Sequence, residues 1–121
     1  MTHKIVRLLP GGASDTGLAS CQFVDPAACD GDAPQETGHN FFTSADKKLL
    51  AGVWEASPYK ERIDGYPVDE FMLVLDGSVT ITEEGGAGQT FSAGEAFIIP
   101  KGFCGTWENT ETMRKYYVIY E

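Results

Sequence analysis

From Phe41 to the end of the chain, short runs of β-branched and aromatic residues alternate with turn residues, and no stretch carries a sustained 3.6-residue hydrophobic period. This rhythm leaves little room for helices and predicts antiparallel β-structure closed into a sandwich or barrel. The expected strands are Asn40–Thr43, Leu49–Ala56, Glu70–Leu75, Ser78–Thr82, Gln89–Phe91, Ala96–Ile99, Gly105–Glu108 and Lys115–Tyr120. Asp76-Gly77 and Glu84-Gly85-Gly86 supply residues tolerant of positive φ, and each is expected to close a hairpin. The run Phe71–Leu75 is apolar on both faces, so the face turned away from the barrel needs cover from elsewhere, either from the chain's own N-terminal part or from a second copy.

Residues 1–40 read differently. From residue 10 they are rich in Gly, Ala, Asp and Pro, with only Cys21-Gln22-Phe23-Val24 resembling a strand, and residues 1–40 are expected to form an extended arm on a barrel domain of residues 41–121. Asp25, Asp30, Asp32 and Glu36 fall in this arm with no basic residue between them. A solvated loop is the expectation, with a cation-binding loop as the lesser alternative.

Nine basic against eighteen acidic residues give a net charge of −9, which argues against binding nucleic acid or an anionic membrane surface. No apolar run approaches the roughly 20 residues of a spanning helix, and the start MTHKIVRLLPGG lacks a signal-peptide core; a cytoplasmic protein is expected. Cys21, Cys29 and Cys104 have no Cys-x-x-Cys spacing and are expected to be free thiols. His3 and His39 are the only histidines, too few for a three-histidine metal site or for elaborate imidazole chemistry.

The segment Gly52–Asn109 resembles the two motifs of the cupins, small all-β jelly-roll barrels also described as double-stranded β-helices. Glu70 and Gly77, with FMLVLD between, have the spacing that closes the first motif. Gly94, Pro100, Gly102 and Asn109 in GEAFIIPKGFCGTWEN have that of the second. Cupin metal sites take two histidines and the glutamate from the first motif and a third histidine from the second. Here the second-motif place holds Gly105, and the paired places fall on Asp64 and Tyr66, or on Ile63 and Gly65. Only Glu70 remains, so neither a tightly bound metal nor any other cofactor is expected.

Finer features, GVWEASP, YPVDEFMLVLDGSVTIT, the stretch Gly105-Thr106-Trp107 and the closing RKYYVIY, are similar to a small cupin subfamily related to ureidoglycine aminohydrolase. The manganese-binding histidines of that enzyme have no counterparts here, so its activity does not carry over with the fold.

Alternation along a strand puts Glu70, Met72 and Val74 inside the barrel if Glu70 points inward as its cupin counterpart does, and it puts Gly105 and Trp107 on one inward face. Glu70 is the candidate acid, base or ligand anchor, with Arg62 and Lys115 as the basic residues available to it. Trp54, Arg62, Tyr66, Glu70 and Trp107 make up the expected ligand pocket. The expected function is binding of a small polar, ureido or amino-acid-like molecule in a metal-free lumen, by a homodimer. The alternatives are a manganese-type enzyme of nitrogen-compound metabolism, with ligands such as Asp64, and an accessory subunit that binds another protein.

Overall fold

A computed structural model describes residues 3–121, and among these the architecture is all-β apart from one 3₁₀ turn at Pro26–Ala28. The strands are β1 (Ala19–Cys21), β2 (Glu36–Thr43), β3 (Leu49–Ala56), β4 (Tyr59–Asp64), β5 (Asp69–Asp76), β6 (Ser78–Glu83), β7 (Gly88–Ser92), β8 (Ala96–Ile99), β9 (Cys104–Asn109) and β10 (Met113–Tyr120). They form two antiparallel sheets, β1-β2-β3-β10-β5-β8 and β4-β9-β6-β7, which enclose a common lumen. This is the expected jelly-roll barrel with an N-terminal strand ahead of it.

Inward parity follows the sequence. Glu70, Met72 and Val74 are buried while Phe71 between them is exposed, and on β9 Gly105, Trp107 and Asn109 are buried. The lumen is packed by Trp54, Tyr59, Ile63, Met72, Val79, Ile99, Trp107 and Met113, among others. Bulky apolar groups from both sheets meet there, which is what holds two short-stranded sheets face to face.

Four features differ from expectation. Strand β4 is absent from the predicted set, because Lys60, Glu61 and Arg62 mask the inward series Tyr59, Glu61, Ile63. Strand β2 starts at Glu36, inside the segment read as arm, since Glu36–His39 lack the composition of a strand; Glu36, Thr37 and Gly38 nevertheless pair with both β1 and β3, and His39 pairs with β3. Strand β1 is Ala19–Cys21 and shares only Cys21 with the predicted patch. The Asp76-Gly77 turn closes no hairpin: β5 pairs with β10 and β8, whereas β6 pairs with β7 and β9, so the turn carries the chain from one sheet to the other. Gly77 is required there by its φ of 74° and by the Thr112 carbonyl, against which a Cβ would collide. Glu84-Gly85-Gly86 does close the β6–β7 hairpin.

The N-terminal segment covers part of the outer face of the larger sheet. The Tyr116 hydroxyl donates to the Leu8 carbonyl at 2.9 Å, and Arg114 donates to the Pro10 carbonyl at 2.8 Å while pairing with Glu55 at 2.9 Å. Register partners Phe71 and Ile98 lie beyond this cover and remain 40% and 64% exposed.

Candidate functional site

Three lumen strands bring Glu70, Lys115 and Trp54 together, because β10 lies between β3 and β5 and all three residues have inward parity. Lys115 Nζ donates to Glu70 Oε2 at 2.8 Å and to Met72 Sδ at 3.1 Å. The Tyr66 hydroxyl donates to Glu70 Oε1 at 2.5 Å, so both carboxylate oxygens have a donor. The pair is buried, with side chains 7% and 6% exposed. The ammonium also lies 4.7 Å from the Trp54 ring centroid and 5.0 Å from that of Trp107, so two π faces border it as well.

The aromatic wall is one unit. Trp107 stacks on Tyr59 at 6.2 Å and meets Trp54 edge to face at 6.0 Å. Its indole N–H donates to Asn109 Oδ1 at 3.0 Å, and Asn109 in turn donates to the carbonyls of Glu111 and Ser57. The asparagine of the second cupin motif therefore orients the tryptophan and ties β9 to two connecting turns.

Among the expected pocket residues, Trp54, Tyr66, Glu70 and Trp107 do assemble, while Arg62 does not. Arg62 faces away from the lumen on β4 and sits 3.7 Å from Glu84, with both side chains mostly exposed. Lys115 holds Glu70 instead. The pocket is also placed differently, since the cluster centre is packed. A cavity of about 260 Å³ lies to one side, lined by Cys21, Phe23, Gly38, Asn40, Trp54 and Tyr117, and a second of about 130 Å³ lies among Ile81, Phe91, Phe97, Ile99 and Phe103. Of the cluster residues, Trp54 alone lines either of these two cavities. Beside the first cavity, Gly52 has no room for a side chain, since a Cβ there would collide with the His39 carbonyl and the Tyr117 hydroxyl.

Two carboxylates of the lumen were not singled out as site residues by sequence reasoning. Glu36, read as part of a solvated loop, is 5% exposed. It accepts from the backbone of Phe23 at 2.9 Å and Val24 at 3.2 Å and from the Trp54 indole at 3.1 Å, which fastens the N-terminal segment to the barrel. Glu61 points inward from β4, opposite Trp107 in register, and its carboxylate has no hydrogen-bond partner among the described residues. Inward parity was the signal for Glu61, but it needed β4 to be recognised first.

Burial, and then the charge of Glu70, press on the Tyr66 hydroxyl and hold it far above the usual phenol range. Burial and Glu61 do the same to Tyr59. Burial pushes Tyr117 up to about 12, with Glu70 adding to it. All three are neutral hydrogen-bonding groups at physiological pH. Burial, then Glu36, raises the Cys21 thiol, and burial, then Glu61 and Asp25, raises that of Cys29, which makes both poor nucleophiles.

A metal ion does not fit these residues. Among the described residues no three His, Cys, Asp or Glu side chains converge, Asp64 is exposed, and Glu70 is already saturated by an ammonium and a phenol. The second-motif histidine place has no room either, because a Cβ on Gly105 would collide with the Thr82 carbonyl and the Phe103 ring.

Residues 43–117 match the EutQ-like cupin domain family. A DUF861-family protein of unknown function from Pseudomonas syringae pv. tomato superposes with a TM-score of 0.80 at 26% identity, over 84% of this chain and 43% of the other. The chain thus spans less than half the length of that protein. EutQ from Clostridium difficile gives a TM-score of 0.64 at 23% identity, over 80% of this chain and 74% of the other. A DUF861-family protein from Thermotoga maritima gives 0.52 at 28% identity, over 56% and 76%. No functionally curated protein matches.

Proposed function

The chain belongs to the EutQ-like cupin family, and on that premise we propose that it is a small-molecule-binding cupin whose lumen carries a fixed ammonium, Lys115, where relatives with histidines hold a metal. The observation that carries the reading is the Lys115–Glu70 pair, at 2.8 Å, with the ammonium beside two indoles. Structural stability alone gives little reason for such a pair, since desolvating two charges offsets most of their attraction and apolar side chains of similar volume often do as well. A lumen that must present a positive charge and hydrogen-bonding groups to a ligand does need it.

The ligand class that suits this lumen is a small polar molecule of ureido or amino-acid-like type. Its carbonyl or carboxylate would approach the ammonium, and its planar part would lie against Trp54, which links the ion pair to the larger cavity. The subfamily related to ureidoglycine aminohydrolase supplies the first compounds to try. No reaction through manganese is derived, because the residues do not fit that ion. Three free cysteines support a cytoplasmic setting, and no described helix is long and apolar enough to cross a membrane.

Calorimetric titration with N-carbamoylglycine tests the reading. Saturable binding is expected, lost in the double variant Lys115→Met/Glu70→Gln, which removes both charges while keeping the volume. Absence of binding, or equal binding by that variant, would overturn it. The exposed Phe71–Ile98 pair favours a second reading, in which this face joins two copies into a homodimer; sedimentation at micromolar concentration would then show a dimer that Ile98→Glu dissociates.

A further inference from the structure

Strand β4 places two polar groups in the lumen that nothing in the fold uses. Tyr59 is 8% exposed, its ring is fixed by stacking on Trp107 and by an edge contact with Trp54, and its hydroxyl has no partner among the described residues. No described side-chain oxygen or nitrogen is both sealed from solvent and unpartnered, so this hydroxyl reaches water. Glu61 lies two residues along on the same inward face, half-buried and equally unpartnered. Both groups are therefore open to solvent inside a wall of fixed aromatic rings, an oriented pair of acceptors that a ligand's donor can take over from water.

The charges around them fix its sign. Glu36 is saturated by three N–H donors and Glu70 by Lys115 and Tyr66. Glu61 is left with no cation of its own, and Asp25 and Glu36 add negative charge that Lys115, committed to Glu70, offsets only in part. A bound group that donates hydrogen bonds and carries positive charge satisfies the Glu61 carboxylate and the Tyr59 oxygen together. The Tyr59 and Trp107 rings beside them favour a cation over a neutral donor.

We infer that Glu61 and Tyr59 form a recognition site for a primary ammonium group, the amino end of the lumen's ligand. This deepens the small-molecule reading above and rests on it. It also makes the ligand class narrower: an amine or amino-acid-like molecule whose acceptor end faces Lys115 and whose ammonium faces Glu61.

Amide-resolved NMR titration at pH 7.5 and constant ionic strength, with n-propylammonium, 1-propanol and propionate as probes, tests the site. Propylammonium is expected to shift the Tyr59 and Glu61 amides and the Trp107 indole saturably, with 1-propanol and propionate at least about tenfold weaker. Glu61→Gln is expected to weaken propylammonium about tenfold and Tyr59→Phe about threefold. Glu108→Gln, which removes the same charge from the outward face of β9, should leave it unchanged. Equal responses to propanol, shifts scattered over the acidic surface, no binding, or an unchanged response in Glu61→Gln would each overturn the inference. If N-carbamoylglycine still bound through Lys115 while Glu61→Gln had no effect on propylammonium, the ammonium site would fall and the lumen reading would stand.

Discussion

Replacing Lys115 by Met is the sharpest perturbation, because the two side chains have similar length and the change removes a charge with little loss of volume. Glu70 would be left 5% exposed with only the Tyr66 hydroxyl as a donor. Breaking one side of a buried pair in this way costs about 3–5 kcal/mol. With an unfolding entropy of about 2.1 cal/mol/K per residue over the 121 residues, that is a fall in Tm of about 12–20 °C. The loss is expected to depend on pH in a defined direction. An unpaired buried carboxyl holds its proton to higher pH than in the unfolded chain, so the variant is destabilised near neutrality and recovers as pH falls through the raised folded-state pKa. Adding Glu70→Gln should restore most of the lost Tm at pH 7, since no buried charge is left. Calorimetric melting of the parent and the two variants between pH 4.5 and 8 checks this. A fall of under about 4 °C for Lys115→Met, or no recovery in the double variant, would refute the claim that the pair is buried and mutually dependent.

Other variants probe the surroundings. Burial, then Asp25 and Glu36, raise the Glu61 carboxyl against the smaller opposing effect of Lys115, so Glu61 costs stability above its folded-state pKa and none once pH lies below the unfolded value near 4.3. Glu61→Gln should therefore melt higher than the parent at pH 7.5 and equal to it near pH 4; an equal or lower Tm at pH 7.5 would contradict this. Glu36→Ala removes the acceptor of two backbone N–H groups and of the Trp54 indole, a loss of about 3 kcal/mol, and limited proteolysis should cut residues 22–35 faster than in the parent. Trp107→Ala, at a position 3% exposed and packed between Tyr59 and Trp54, should cost about 3–5 kcal/mol in denaturant unfolding, whereas a change under about 1 kcal/mol would place Trp107 outside the core.

The barrel was legible because its signals are local. The Glu70-to-Gly77 interval, the Gly94–Pro100–Gly102–Asn109 spacing and the alternation along β5 and β9 each record a turn or a face, and they placed Glu70 and Trp107 inward correctly. The partner of Glu70 was not legible. Lys115 and Arg62 both lay within chemical reach on paper, and the choice depends on β10 running between β3 and β5, a pairing between segments 45 residues apart. Strand β4 was missed for a related reason. Its inward middle residue is the carboxylate Glu61, so the hydrophobic alternation breaks in the middle of the strand. Glu36 looked like one of four loop acids until its three donors, brought by the folded-back segment and by β3, made it an anchor. Polar groups inside a barrel interrupt the pattern from which the barrel is inferred, and these two carboxylates are cases of it.

The central claim is that Lys115 supplies the positive charge of this lumen and leaves no place for a metal. Elemental analysis of untagged protein purified without chelator, expressed as moles of each transition metal per chain, tests it most directly. The account predicts well below about a tenth of a mole of manganese, iron, nickel, copper or zinc, with the same result after incubation in excess manganese and desalting. Near-stoichiometric metal that is lost in Glu70→Gln would contradict it, since Glu70 could not then be held by the ammonium.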